Sequence, residues 1–279
     1  MSAKKKVIED IFEFDEVKHV YTLNGKRMYG VTSVLGVIAK GGLTWWASKM
    51  ACETLGRMHH KDAKDKYIAN SERVSCAQDK LDEIKEMEAA EYLKLLDEAY
   101  KKHNEKKNDA ADKGKDVHSI CEEIINKAIA ENGGFISTLV DIHTDILGAG
   151  NAQVQHFVNW AVKENVQFIA SEKKAYSSVM WVAGTFDFTA IIHSKKMMGD
   201  IKTYSAIHDR TPFLQCGGYV IMEEEKGNYY DGSVIVRMGK DGSFEVMYSY
   251  DLEGDKAGFL FALGLYKCLD SWQKPETVV

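Results

Sequence analysis

From Ser75 to Ala130 the chain is rich in Ala, Glu, Lys and Leu and almost free of helix breakers. From Val166 onward it turns into runs of β-branched and aromatic residues. Helical composition followed by strand composition calls for a helical N-terminal half set against a C-terminal α/β core. Within the first part, Leu81, Ile84, Met87, Ala90, Tyr92, Leu95 and Leu96 recur at the spacing of a single apolar helix stripe. Gly114 is expected to interrupt before a second helix through Val117, Ile120, Cys121, Ile124 and Ile125, which Asn132-Gly133-Gly134 ends.

The second part divides as clearly. Val166–Ser178 and Trp181–His193 read as strands about a short turn near Met180, and Met197–Thr203 as a third. Asp209–Glu225 reads as a helix with Pro212 tolerated in its first turn. Ser233–Arg237 and Ser243–Tyr250 form a hairpin, and a closing helix runs from Asp255 to about Trp272. Gly148–Asn165 reads as one more helix. At the other end, Phe12–Tyr29 flanks Asn24-Gly25, a strong hairpin signal. Thr32 and Ser33 are expected to cap a short helix through Val34–Ile38 that stops at Gly41-Gly42, and a helix bearing Trp45 and Trp46 begins near Thr44. The expected division is 1–113, hairpin and helices forming a wall or arch over the site, and 114–279, the core.

Charge and cysteines narrow the function. A net charge of −6 over 279 residues weakens the case for a protein that coats nucleic acid indiscriminately, but a local positive groove suffices for an enzyme that grips a short stretch of strand. The five cysteines (Cys52, Cys76, Cys121, Cys216, Cys268) are scattered and never form a Cys-x-x-Cys pair, so buried reduced thiols are expected. No apolar run reaches membrane-spanning length, and Met1–Lys6 is basic without a following apolar signal core, so a cytoplasmic location away from membranes is expected.

The chemistry concentrates in Gly184-Thr185-Phe186-Asp187 and Gly199-Asp200-Ile201-Lys202-Thr203. Residues two apart on a strand share a face, so Asp200 and Lys202 point together. Phe186 and Phe188 are expected to pack on the side opposite Asp187. If these strands are neighbours, two carboxylates and a lysine converge. Two close carboxylates repel unless a cation joins them, and hard oxygen ligands suit Mg2+ or Mn2+. Such a cation would polarise a phosphoryl oxygen and activate water, with the lysine orienting that water or stabilising developing charge. By itself Asp-x-Lys is more often a solvated surface ion pair.

The wider pattern resembles the RecB-like branch of the PD-(D/E)xK nucleases. Over Gly114–Tyr219 the chain supplies, in that family's order, His118 in a helix, Glu172 in a strand, Gly-x-x-Asp ending at Asp187, Asp200-x-Lys202, and Gln215-x-x-x-Tyr219 in a helix. His19-x-Tyr21 with Gly25, then Val31-Thr32-Ser33-Val34-Leu35, resembles the opening segment of phage and organellar exonucleases of this branch. The resemblance implies a restriction-endonuclease-like α/β core, a mixed central sheet flanked by helices, with a helical N-terminal part. It implies Mg2+ or Mn2+ held by His118, Asp187, Asp200 and the carbonyl of Ile201. Lys202 would position water, Glu172 would act near the lysine or a second metal, and Gln215 and Tyr219 would brace the lysine and contact the strand being cut. Glu122, four residues after His118, could reach a second cation, with a surface role at least as plausible; it stays outside the main site.

The implied activity is DNA phosphodiester hydrolysis, as an exonuclease on single-stranded or end-containing DNA in phage or prophage recombination or DNA processing. A single-strand-annealing or other DNA-binding protein is the candidate partner. The rivals are a structure-specific endonuclease with the same site, a non-cleaving DNA-binding protein of the same fold, and, more weakly, an RNA nuclease. Iron–sulfur relatives carry three closely spaced cysteines after the core; only Cys268 lies there, so no cluster is expected. No Gly-x-x-x-x-Gly-Lys motif is present, so no helicase motor is expected. Lys101, Lys102, Lys106, Lys107, Lys113 and Lys115 lead toward His118 and are candidates for guiding phosphates, against the reading of a solvated helix face.

Overall fold

The β-rich runs after Val166 build the centre of the fold. β7 (Gln167–Ser177), β8 (Val182–Ile192) and β9 (Lys195–Lys202) form an antiparallel meander. β10 (Gly232–Met238) lies parallel to β9, and β11 (Phe244–Ser249) closes antiparallel on β10. A parallel pair needs a crossover, and the helix α6 (Thr211–Glu224), with Pro212 in its first turn, supplies it between β9 and β10. The computed structural model describes residues 10–38, 42–59, 74–76, 78–136, 152–204, 206–239 and 241–271. Its architecture is α/β, a mixed sheet flanked by helices. No helix among the described residues is long and apolar enough to cross a membrane.

The N-terminal segment enters this sheet. β1 (Phe12–Asp15), β2 (Val20–Leu23) and β3 (Lys26–Arg27) form an antiparallel ribbon that turns at Asn24-Gly25, both with positive φ (53° and 74°), as a two-residue hairpin turn requires. β4 (Tyr29–Gly30) then pairs parallel with β8, and α1 (Val31–Leu35) follows directly. Thr32 and Ser33 do not cap α1. The helix starts at Val31 with Gly30 as its N-cap, two residues before Thr32, without a side-chain cap, and closes on Gly36. The expected run to Ile38 and stop at Gly41-Gly42 is not met: Gly36 ends this helix, and Gly42 opens the next one, Gly42–Thr54, with Gly41 itself outside the described residues.

Two compact units result: Met1–Ile38 with Gly114–Val279, and Ala39–Lys113. The expected boundary at 113/114 coincides with one edge of this division, but the first 38 residues join the sheet-bearing unit, because β4 and α1 complete its sheet and core. The other unit holds α2 (Gly42–Thr54), the antiparallel pair β5 (Arg57–His59) and β6 (Val74–Cys76), α3 (Gln78–Glu86) and the start of α4 (Ala89–Asn132). Gly114 does not interrupt α4, which runs unbroken to Asn132. A lone glycine costs a helix only about 1 kcal/mol relative to alanine, too little to end one that is otherwise well formed.

The sheet buries both faces. Val117, Cys121, Ile124 and Ile125 of α4 and Val154, Phe157 and Val158 of α5 (Ala152–Lys163) cover Phe168, Phe188, Ala190, Ile201 and Val236. On the opposite face, α1, α6 and α7 (Leu252–Asp270) cover Ala175, Val182, Phe186, Met198 and Ile235. α7 begins a turn earlier than expected because Asp251 caps it, accepting from the Gly254 amide.

One edge of β8 is shared in a way that matters below. β7 pairs with the other edge from Val182 to Ile191. The shared edge carries β4 at Val182 and Ala183, then β9 from Phe188 onward. Between them, Gly184 to Asp187 has no ladder partner on that side among the described residues.

Candidate functional site

Asp187 sits where β9 leaves that edge. The next rung after Phe188↔Gly199 would pair Asp187 with Asp200, but the strands part there, and the Ile201 amide donates instead to Asp187 Oδ2 at 2.5 Å. The chain also rotates at this point. Phe188 packs under α4 and α5 whereas Phe186 packs under α6, so two residues expected to share a face lie on opposite ones. The rotation leaves Asp187 reachable from both helical layers. His118 Nδ1, from α4, lies 3.6 Å from Asp187 Oδ2.

Two glycines make this geometry possible. A Cβ on Gly184 would lie 2.7 Å from the Tyr219 ring and 3.1 Å from Val31, and one on Gly199 would lie 2.2 Å from the Phe188 ring. Both glycines of the sequence motifs are therefore close-packing positions.

From the α6 layer, Asp200 and Lys202 share a face as expected. Lys202 Nζ lies 2.5 Å from Asp200 Oδ2, an ion pair without hydrogen-bond geometry at that oxygen. Gln215 ties the pair together: its amide nitrogen donates to Asp200 Oδ1 at 3.0 Å, and its carbonyl oxygen accepts from Lys202 at 3.2 Å. The same nitrogen contacts the Tyr219 hydroxyl at 3.0 Å. Bracing of the lysine by Gln215 is thus visible directly. Tyr219 is only 2% exposed and meets the pair through Gln215.

Ligand atoms of His118, Glu172 and Asp187 all lie within 4.8 Å of one another, an arrangement that could hold a metal ion. Glu172 therefore belongs with His118 and Asp187, while Asp200 is engaged by Lys202 and Gln215. The contact of Ile201 with the site runs through its amide, which donates to Asp187.

The electrostatics follow from burial and from the closeness of the carboxylates to one another, to His118 and to Lys202. Burial, reinforced by the charges of Asp187 and Glu122, pushes Glu172 up to about 7. Burial pushes Asp200 up to about 6, with Asp187 adding to the rise and Lys202 opposing it. Asp187 is held below its ordinary value: burial opposes ionisation, but His118, Lys202 and the Ile201 amide outweigh it. Burial works against the charged form of His118, yet Asp187 raises it above its ordinary value. Lys202 is raised by the two aspartates despite its burial, so it stays a cation.

Three carboxylates thus face one lysine, the setting in which a hard divalent cation relieves repulsion. Glu122 is the residue under-weighted from sequence; its influence on Glu172 is what the i, i+4 spacing from His118 signalled. Tyr21 was named only within the opening segment. It shares a 2.9 Å hydrogen bond with Thr185 and feels the charge of Glu172, and no local pattern pointed to that contact.

A pH effect follows in the absence of metal. Glu172 and Asp200 have folded values above their unfolded ones, so the stability tied to their protonated forms is complete below about pH 4 and is lost as pH rises through 6 to 7. His118 is raised too, and its favourable contact with Asp187 is likewise lost as pH rises. Asp187 is depressed and acts oppositely, but only at acid pH below this window. Thermal unfolding without metal is expected to show Tm falling by roughly 4–8 °C from pH 5.5 to 8, equivalent to about 2 kcal/mol. Mn2+ should restore more of the loss at pH 8 than at pH 5.5, because protons compete for the same oxygens. A flat Tm across this range would mean that the carboxylates are not in conflict.

No family model matches the chain, and no curated protein matches it. Among solved structures, one described as "Crystal structure of SSO0001" matches 58% of this chain and 76% of that chain, at 13% identity and a TM-score of 0.28. A likeness that slight carries nothing about function.

Proposed function

We propose that this protein is a metal-dependent deoxyribonuclease of the PD-(D/E)xK type, an exonuclease acting on single-stranded or end-containing DNA. One observation carries the reading. His118, Glu172, Asp187, Asp200, Lys202 and Gln215, drawn from five separate stretches of chain in the order the RecB-like branch uses, converge on one gap in the sheet. An isolated surface Asp-x-Lys would show no such convergence, and a site retired to binding alone would have no need to keep the buried Asp200–Lys202 pair.

His118, Glu172 and Asp187 would hold Mg2+ or Mn2+, with Asp200 at the border of the site. When bound, the cation supplies Lewis acidity toward a phosphoryl oxygen and lowers the pKa of water. Lys202 keeps its proton, so its part is to donate hydrogen bonds and positive charge to the attacking water or to the phosphate as negative charge develops. Gln215 fixes the direction of the lysine, and Asp200 fixes its charge in place.

The test is digestion of end-labelled linear single-stranded DNA with Mg2+ or Mn2+, with EDTA and a circular substrate as controls. Metal-dependent loss of the linear DNA, with the circle intact, is the expected result. Cutting of the circle would shift the reading to an endonuclease. Inertness toward both under both metals would leave the binding-protein rival in its place.

A further inference from the structure

Gln215, Tyr219 and Glu223 lie at successive four-residue steps of α6, one stripe along the helix. Each meets a different strand of the sheet. Gln215 bonds Asp200 and Lys202 of β9, Tyr219 packs on Gly184 and Phe186 of β8, and Glu223 bonds Lys173 of β7. The first two contacts belong to the site described above; the third has no part in it so far.

Glu223 is 1% exposed and ionisable, a costly thing to bury. Its Oε2 accepts from Lys173 Nζ at 2.8 Å and from Asn228 Nδ2 at 3.0 Å, while Oε1 has only the distant Lys226, at 3.8 Å, and no hydrogen bond among the described residues. For stability alone, apolar residues commonly serve as well as such a pair. What sets this pair apart is the neighbour of Lys173. Glu172 has φ +44°, in the middle of β7, a backbone state that disfavours any residue with a Cβ and must be held from outside.

It is held on both sides. Ser171 Oγ donates to the Asp187 carbonyl at 3.2 Å, and Lys173 is fixed by Glu223, its ammonium 5.9 Å from the centre of the Phe186 ring. Between these two anchors, the turned backbone delivers the Glu172 carboxylate to His118 and Asp187.

We infer that Glu223 is a positioning residue: through Lys173 it holds the left-handed turn at Glu172 and so sets the affinity of the His118–Glu172–Asp187 site for a divalent cation. The inference rests on the cation site of the proposed nuclease. Glu223→Gln keeps the shape and the contact with Asn228 but removes the charge that fixes Lys173, and Lys173→Met removes the same contact from its half-exposed end.

The experiment is Mn2+ titration of the full chain by calorimetry and by the electron paramagnetic resonance of free Mn2+, with Tm recorded alongside. Both variants are expected to lose affinity by about 10-fold, as removal of outer partners of metal ligands does. Cleavage should show the loss mainly in the KM for Mn2+ rather than in kcat, and Lys173→Arg, which keeps the charge, should recover most of it. A drop in Tm with Mn2+ affinity unchanged would overturn the inference and leave Glu223 a structural residue; should Glu223→Gln not fold, Lys173→Met decides alone. Wild-type protein that binds Mn2+ but cuts no DNA would sink the nuclease reading while the titration still decides this one. Wild-type protein that binds no Mn2+ would end both.

Discussion

If the proposed nuclease reading holds, Lys202→Met is expected to lower cleavage of end-labelled single-stranded DNA by about 10³-fold at saturating Mn2+, the order for removal of a single donor to developing charge. Mn2+ affinity should change by much less, since Lys202 contacts Asp200 and Gln215 and reaches Asp187 and His118 through its charge alone. Asp200 then loses its cation and keeps one hydrogen bond from Gln215. With its carboxyl already pushed up to about 6, it takes up a proton near neutral pH rather than remain charged. That limits the damage to the fold to about 1–3 kcal/mol, the range for a buried polar group that has lost a partner. Single-turnover rates and thermal unfolding measured on one preparation separate the two effects. A variant that cuts at the wild-type rate would reduce the Asp200–Lys202 pair to a structural ion pair and take the lysine out of the chemistry.

Asp187 yields the second large effect, and here two substitutions disagree in a useful way. Asp187→Ala and Asp187→Asn both remove a charge from the proposed cation site, and both should weaken Mn2+ binding by roughly 100-fold or more, beyond what loss of an outer partner does. Their stabilities without metal should differ. Alanine strands the Ile201 amide, which has Asp187 Oδ2 as its partner, at about 1–3 kcal/mol. Asparagine still offers an oxygen to that amide and should lose half as much or less. Thermal unfolding in EDTA measures the difference directly. Equal losses in the two variants would mean that the amide finds another acceptor when the strands part.

Much of this fold could be read from local patterns. The hairpin at Asn24-Gly25, the meander after Val166, the β10–β11 hairpin and the helix that opens on Pro212 all follow from periods and turn residues within a few positions of one another. The convergence of Asp187, Asp200, Lys202 and Gln215 follows from strand pairing and helix spacing in the same way. What was not legible depends on distance along the chain. β4 is two residues long and acquires meaning only against β8, some 150 positions away, so nothing local could move residues 1–38 into the core. The rotation between Phe186 and Phe188 arises because two strands share one edge of β8, and alternation within β8 alone argues for the opposite. The tie from the buried Glu223 to Lys173, next to Glu172, joins residues 50 positions apart and has no local signal. Lys101 and Lys102, grouped as phosphate guides, are paired with Asp97 and Glu105 of their own helix.

The parted rung at Asp187 bears on how such a chain would drift over generations. Because the carboxylate takes the place of a ladder partner for Ile201, selection for folding alone would resist its loss, whether or not any strand is ever cut. Lys202 is protected less, since Asp200 can become neutral once the lysine has gone and so offsets part of the cost. A descendant released from catalysis would therefore be expected to shed the lysine first and to keep an aspartate or asparagine at 187 long afterwards. In a protein of this design, an aspartate at the gap in the sheet would be kept by architecture as well as by any cation it holds, and the lysine two positions beyond its partner mainly by the proposed chemistry.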